Sequence, residues 1–469
     1  MLERRTLSLS LFTDLYELTM AASYFQHRMF APATFSLFVR SLPPERGFLV
    51  AAGLTEAVSL LQDFAFTPED IAFLRQDGRF APDFLNYLGQ LRFTGNVRAI
   101  PEGCPCFAQE PLVEITAPII EAQLVETIVL NAIHLQTVIA SKAARCYAGA
   151  QSRSLIDFSL RRTHGIDAGL KVARASYLAG FSGTSNVLAG KLYEIPFYGT
   201  MAHSFIESFG DEEDAFTAYA ETFPDDTALL IDTYDTVNGA RRAARVGQKL
   251  LQRGHRLRGV RLDSGDLDAL SRETRKILDD AGLPFVRIYA SGGLNEHKVA
   301  TLVSAGAPID VFGVGTDMGV SGDVPALDMA YKLVEYDGKP RLKLSSGKMS
   351  LLGRKQVFRL TNPSGRYERD VIGLSDESAD TIVKDSTGTT TPALPLLQEV
   401  IKSGTVVAPL PTLEESRARF FSDVARLPPG TQALDHARPY AVSLSQKLAH
   451  FQDEAVAQLR ARYGVTPED

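Results

Sequence analysis

Cysteine is scarce in this chain, with three in 469 residues: Cys104, Cys106 and Cys146. Three thiols make no disulfide framework, and Cys104-Pro105-Cys106 lacks the ligand spacing of a zinc site. The expectation is reduced structural thiols in a cytoplasmic protein. Long apolar runs are missing too. The longest, Val125 to Ala140, is broken by Asn131, His134 and Gln136 and is too short to cross a bilayer. The amino terminus, with Glu3 and Asp14 around a short Leu/Ser run, does not have the make-up of a signal peptide. No membrane association is expected. Positive charge is not in excess: the net charge of −7 leaves no electrostatic footprint for nucleic acid. An anionic substrate therefore has to be met by local Arg and Lys. No Gly-x4-Gly-Lys-Ser/Thr stretch occurs, so a nucleoside triphosphate is not held by a P-loop. Gly313-Val314-Gly315 lacks the third glycine of a dinucleotide fingerprint, because Met318 stands in its place.

What is present is an ordinary globular composition, 45% hydrophobic and 22% charged, in a chain long enough for two or three domains. Residues 1–120 mix helical and strand patterns. Residues 11–27 read as a helix capped near Thr13 or Asp14, and Thr67-Pro-Glu-Asp opens another. Ala33 to Arg40 and Phe48 to Ala52 read as strands, and Val97 to Ile119 as short strands with Pro and Gly. From Glu121 to Ala150 the pattern is one long buried helix, with His134 a packing residue. Over 121–335 short apolar runs alternate with helices at about 25–30 residues, the size of a βα unit. The strands are expected to end near Phe158, Gly183, Ala202, Asp232, Asp263, Ser291 and Gly315. Helices fit Gly165–Leu178, Glu212–Glu221, Val237–Arg253, Leu267–Ala281 and Asn295–Ala305. The fold class is therefore α/β: an irregular parallel α/β barrel, plus an α+β domain built from the N- and C-terminal segments. In residues 336–469, which are expected to pack back on the N-terminal domain, Leu342 to Arg359 is basic, 372–404 reads as strands and loops, and Ser443 to Tyr463 as helix.

In such a barrel, chemistry collects on the loops after the strands. Gly259-Val-Arg-Leu-Asp-Ser-Gly-Asp266 is a strand running into an acidic, glycine-containing turn. Asp263 stands at the strand's carboxyl end, while Asp266 suits either a helix cap or a substrate contact. Ser291-Gly292-Gly293 and Gly313-Val-Gly315-Thr316 end the next two strands. Carboxylates followed by two glycine turns suit a sugar held by its hydroxyls and phosphates gripped by backbone N–H groups. The same strand ends offer Phe158, Arg161 and Arg162 for an anion, Thr184 and Ser185, and His203 in a strand-like run. On a phosphate-binding rim, His203 suits acid/base or phosphoryl-accepting work. Asp225-Asp226-Thr227 precedes its strand and reads as a turn. An isomerase or aldolase on a barrel would want a lysine or a general base at a strand end, and none of these ends supplies a lysine.

With these residues in view, the chain resembles the nicotinate phosphoribosyltransferase family along essentially its whole length. The matching segments are Thr13-Asp-Leu-Tyr-Glu-Leu-Thr-Met20, Phe38-Val-Arg-Ser-Leu-Pro43, Arg46-Gly-Phe-Leu-Val50, Arg161-Arg-Thr-His-Gly165, Gly180-Phe-Ser-Gly-Thr-Ser-Asn186, Gly199-Thr-Met-Ala-His-Ser204, Asp263-Ser-Gly-Asp266 and Lys355-Gln-Val-Phe-Arg359. The resemblance implies a type II phosphoribosyltransferase fold and a homodimer whose active site is shared between subunits. It implies conversion of nicotinate and 5-phosphoribosyl 1-diphosphate to nicotinate mononucleotide and diphosphate, the entry of nicotinate into NAD. ATP hydrolysis with Mg²⁺ would accompany it through a phosphohistidine.

By family position, Phe158 and Tyr16 sandwich the pyridine ring, with Tyr16 contributed by the neighbouring subunit. Arg261 lies beside the base and Asp263 on the ribose hydroxyls. Ser291, Gly292, Gly293, Gly313, Gly315 and Thr316 hold the 5′-phosphate. Arg40, also from the neighbour, and Arg161 meet the diphosphate, Thr184 and Ser185 lie on the substrate, and His203 is the phosphorylated histidine. No metal ligand is indicated. The sister nicotinamide-using family carries an aspartate where this chain has Ser185, so an acid substrate is expected over the amide; nicotinamide or quinolinate as substrate is the alternative within the fold. The basic segment of the family carries a Pro-Gly turn where this chain has Leu352-Gly353, which leaves open the contacts of Lys348 and Lys355.

Overall fold

The computed structural model describes residues 9–344, 350–387 and 393–464, and Lys348 lies outside them. The chain divides into two compact units. One comprises 1–137, 326–432 and 437–469, and the other 138–325 with 433–436.

The first unit is organised on an antiparallel sheet. Its order is Lys339–Pro340, Met329–Tyr336, Pro32–Val39, Pro111–Pro118, Asn96–Ala99, Gln398–Lys402 and Thr405–Val406. Pro32–Val39 is central and buried on both faces from Ala33 onward, although its sequence alternates. The reason lies in its polar positions: Ser36 donates to Glu114, and Thr34 bonds Thr116 across the next strand. A second sheet joins Ala393–Pro395, Lys355–Thr361, Tyr367–Leu374 and Ala441–Leu444. At its centre Arg359 binds Asp370, both at most 1% exposed. Lys355, also buried, is held by Glu114 at 3.0 Å and by the Gly353 carbonyl. The turn at Leu352-Gly353 keeps its glycine in the left-handed region, at φ +65°. Thr67 and Asp70 cap the Pro68–Asp77 helix reciprocally. The first helix runs Leu15–Gln26. His134 is a packing residue, its Nε2 accepting from the Leu327 N–H at 2.9 Å. The long helix breaks once, into Ile119–Leu124 and Glu126–Ala150. Ala379–Thr387 is a helix where strands and loops were expected.

The second unit carries a parallel sheet of β1 (Ser154–Asp157), β2 (Gly183–Thr184), β3 (Ala228–Leu230), β4 (Gly259–Leu262), β5 (Arg287–Ala290) and β6 (Val311–Val314), in the order β2-β1-β6-β5-β4-β3. Its strands are short and almost wholly buried, as both-face burial requires. The first strand pairs with the second and the last, so the order is circular apart from β2 and β3, which are not paired among the described residues. A seventh strand ending at Ala202 does not form. Between β2 and β3 the chain makes the helix Val187–Tyr193, one bridge, Thr184 to Phe197, and then the helices His203–Glu207 and Glu212–Thr222. Pro196 and Gly199 interrupt the strand-like run there. Val187–Tyr193 and the short Thr316–Gly319 helix were not expected, while four more helices lie at the expected positions: Ile166–Leu178, Thr236–Gln252, Leu267–Asp280 and Glu296–Ser304. Asp235, Asp266 and Asn295 accept hydrogen bonds from the first turns of the last three. Among the described residues no helix is long and apolar enough to cross a membrane.

Candidate active site

The site is built outward from β4. Asp263 directly follows the strand, two residues on from Arg261, and the two side chains meet. Arg261 Nη2 donates to Asp263 Oδ1 at 2.7 Å, Nε to Ser291 Oγ at 2.8 Å, and Nη1 to Thr200 Oγ1 at 2.9 Å. Its guanidinium carbon lies 5.5 Å from the centre of the Phe158 ring, within cation–π range. Ser291 also donates to Asp263. Burial pushes the Asp263 carboxyl up, but the bonds from Ser291 and Arg261 and the nearness of His203 outweigh it and hold it below the ordinary carboxylate range. The Asp263 N–H and the Ser264 hydroxyl both donate to Asp232 Oδ2, at 3.0 and 2.6 Å. The other oxygen of Asp232 is buried without a hydrogen-bond partner among the described residues.

His203 is not on a strand but is the first residue of its short helix. Its Nδ1 meets the Thr233 hydroxyl at 3.1 Å, and Nε2 stands 3.9 Å from Asp263 Oδ2. Phe158 follows β1, and its backbone is fixed by its N–H bond to the Val314 carbonyl. The buried Asp157 just before it accepts from the N–H and hydroxyl of Ser159 and from Thr184 Oγ1. Thr184 is fully buried, with its hydroxyl turned to Asp157. Ser185 is half-buried, its N–H on the Asp157 carbonyl. Arg161 and Arg162 are exposed, and neither guanidinium has a hydrogen-bond or ion-pair partner among the described residues.

The glycine turns differ in what they need. A Cβ on Gly292, whose φ is +88°, would come within 1.8 Å of the Asp263 carbonyl oxygen, so only glycine fits there. Gly313 lies inside β6, and a Cβ on it would collide with the Phe158 ring at 2.4 Å. Its absence of a side chain therefore seats the aromatic ring. Gly315 and Thr316 follow at the start of the Thr316–Gly319 turn. A cavity of ≈820 Å³ is lined by Phe158, Thr200, Arg261, Ser291 and Gly313 and extends inward past Tyr289. Asp266 is the cap of the Leu267–Asp280 helix, accepting from Asp268 and Ala269 N–H. Tyr16 and Arg40 belong to the first unit. Tyr16 is 47% exposed on its helix, and Arg40 stands 3.9 Å from Asp328.

Sequence models of the nicotinate phosphoribosyltransferase N-terminal domain, family region and C-terminal domain match residues 11–134, 153–351 and 354–452. The chain belongs to the nicotinate phosphoribosyltransferase family. It is 49% identical to the nicotinate phosphoribosyltransferase pncB2 of Mycobacterium tuberculosis, covering 94% of this chain and 92% of that one. Over 80% of this chain and 78% of the relative, it is 44% identical to the nicotinate phosphoribosyltransferase of Bacillus subtilis. The crystal structure of human nicotinic acid phosphoribosyltransferase superimposes with a TM-score of 0.83 at 31% identity, covering 94% of this chain and 99% of that one.

Within the nicotinate phosphoribosyltransferase frame, Asp157 was legible as a strand-end residue, whereas Lys142 was visible only as part of a buried helix. A charged residue inside an apolar helical run was the one available signal for Lys142.

Proposed function

We propose that this chain transfers the phosphoribosyl group of 5-phosphoribosyl 1-diphosphate to nicotinate, forming nicotinate mononucleotide and diphosphate, with ATP hydrolysed alongside. The observation that carries this reading is Arg261, clamped by Asp263 and Ser291 and facing the Phe158 ring. It supplies a fixed cation beside a flat aromatic face, the pairing that a pyridine carboxylate asks for.

The pyridine nitrogen attacks the anomeric carbon as the bond to diphosphate breaks. Positive charge develops on the ribose and negative charge on the leaving group, while no proton has to be removed. The site therefore needs orientation and fixed dipoles more than a base. Phe158 and the partner subunit's Tyr16 would sandwich the ring. Asp263, kept ionised, would accept from ribose hydroxyls and face the developing positive charge. Ser291 to Gly293 with Gly313 to Thr316 would hold the 5′-phosphate, and Arg161 with the partner subunit's Arg40 would meet the diphosphate.

ATP would phosphorylate His203, with ADP leaving and water later releasing phosphate. Mg²⁺ commonly binds through one or two carboxylates plus substrate phosphates, and the unpartnered oxygen of Asp232 next to Asp263 fits that pattern. The ion would neutralise the leaving diphosphate.

The circular strand order supports the closed, barrel-like form of the fold. A homodimer with shared sites is supported by apolar side chains left in solvent beside the rim: Ile166 is 83% exposed, Val187 64% and Phe197 57%. Three free, buried cysteines suit the cytoplasm. Incubating the pure protein with phosphoribosyl diphosphate and either nicotinate or nicotinamide, with and without ATP, tests the reading. Mononucleotide from nicotinate, raised by ATP, supports it, and product from nicotinamide alone overturns it.

A further inference from the structure

Lys142 lies on the Glu126–Ala150 helix with 1% of its surface exposed. Its Nζ reaches three carboxylates: Glu296 at 2.5 Å, Asp317 at 2.7 Å and Asp323 at 2.8 Å. The Glu296 contact is a hydrogen bond, and Asp317 and Asp323 form close ion pairs with the same Nζ. Arg145, one turn along the helix, binds the second oxygen of Glu296 at 2.9 Å. Burial alone would lower the Lys142 pKa, but the carboxylates, Glu296 foremost, raise it, so the group stays charged.

The partners are placed tellingly. Glu296 opens the helix that follows Ser291-Gly292-Gly293-Leu294-Asn295. Asp317 directly follows Gly315-Thr316. These are the two glycine turns at the ends of β5 and β6. The strands pair only up to Ala290 and Phe312, so beyond that point the sheet no longer sets the distance between the turns. The ion cluster takes over there. The helix also runs close behind the first turn, since a Cβ on Gly149 would stand 2.7 Å from the Glu296 carbonyl oxygen.

We propose that Lys142 is a positioning residue for phosphate recognition: by bridging Glu296 and Asp317 it sets the spacing of the two glycine turns, so that their backbone N–H groups converge on one phosphate. The proposal rests on the phosphoribosyl-transfer reading above and adds to it a residue that touches no substrate.

The test compares wild type with Lys142→Met, which keeps the stem and removes the charge, and with the milder Asp317→Asn, whose side chain is one-third exposed. KM for phosphoribosyl diphosphate should rise roughly tenfold or more in Lys142→Met, with KM for nicotinate within about twofold. Asp317→Asn should move the same constant in the same direction by less. Calorimetric titration with ribose 5-phosphate should show a matching loss of affinity, at a temperature where unfolding curves show each variant folded. If Lys142→Met does not fold, Asp317→Asn and the titration decide alone. Equal changes in both KM values, or none in either, overturn the positioning role. Wild type that binds no ribose 5-phosphate overturns the underlying phosphoribosyl reading instead.

Discussion

Arg261, near the end of β4, and Asp263, just past it, form an ion pair of 2.7 Å whose members are both held by a third residue, Ser291, which directly follows the neighbouring strand β5. The arrangement leaves the arginine no freedom to follow a mobile ligand. It presents one guanidinium plane to the Phe158 ring at a fixed distance, which is the form of preorganisation that an orientation-limited reaction uses.

Replacing Arg261 by lysine should therefore be costly although it keeps the charge. A lysine cannot serve Asp263, Ser291 and Thr200 together from one planar fork. The expected fall in kcat/KM for nicotinate is about a hundredfold, with thermal stability nearly unchanged. Steady-state kinetics within threefold or so of wild type would exclude a base-side role for Arg261.

Ser185→Asp should lower turnover of nicotinate strongly, on the order of a hundredfold. The new carboxylate would face that of the substrate, and opposed like charges cost several kcal/mol in a partly buried setting. Parallel assays with nicotinamide read out the sign. A variant with wild-type kinetics on nicotinate would remove Ser185 from the specificity argument.

His203→Ala should abolish the ATP-dependent gain in affinity for phosphoribosyl diphosphate. Phosphorylation adds roughly two negative charges at the rim, next to Asp263, and this would reorder the diphosphate-binding side chains. Acid-labile phosphate on the protein after incubation with ATP should disappear as well. Full ATP enhancement in the alanine variant would rule the phosphohistidine out.

Glu17 gives a pH dependence of stability. It lies on the buried face of the Leu15–Gln26 helix, and burial pushes its carboxyl up to about 7 against the opposing hydrogen bonds from Thr13 and Thr127. Because the folded-state value is raised, the folded chain keeps a proton that the unfolded chain has already lost. This contribution is complete below the ordinary carboxyl range, near pH 4.5, and is lost as pH rises to about 7. Above that it adds no further slope. Glu17→Gln should shrink the Tm difference between about pH 5 and about pH 8. An unaltered difference would mean that Glu17 does not titrate in that window.

Much of the candidate site was legible because its information is local. The Arg-x-Asp spacing at a strand end, the glycines of Ser291-Gly292-Gly293 and the cap position open to Asp266 each depend on a few adjacent residues. The βα spacing predicted five helices of the second unit to within one or two residues, while the shorter ones at Val187–Tyr193, His203–Glu207 and Thr316–Gly319 went unpredicted. His203 was misplaced on a strand because an apolar run with small residues does not reveal that Pro196 and Gly199 interrupt pairing and that a helix starts at Ala202-His203.

By itself, the sequence determined the family, the parallel α/β character of the second unit, the glycine turns and the identity of the residues offered for catalysis. These follow from backbone propensity, side-chain periodicity and short-range spacing, which are written in consecutive residues. Only the tertiary structure decided that Lys142 reaches Glu296 across 154 residues, that Thr184 turns its hydroxyl to Asp157 across 27, and that Gly313 is bare to admit the Phe158 ring. A buried charge or a missing side chain is stabilised or tolerated by whatever the fold brings against it. That partner is chosen by chain topology and not by sequence neighbours.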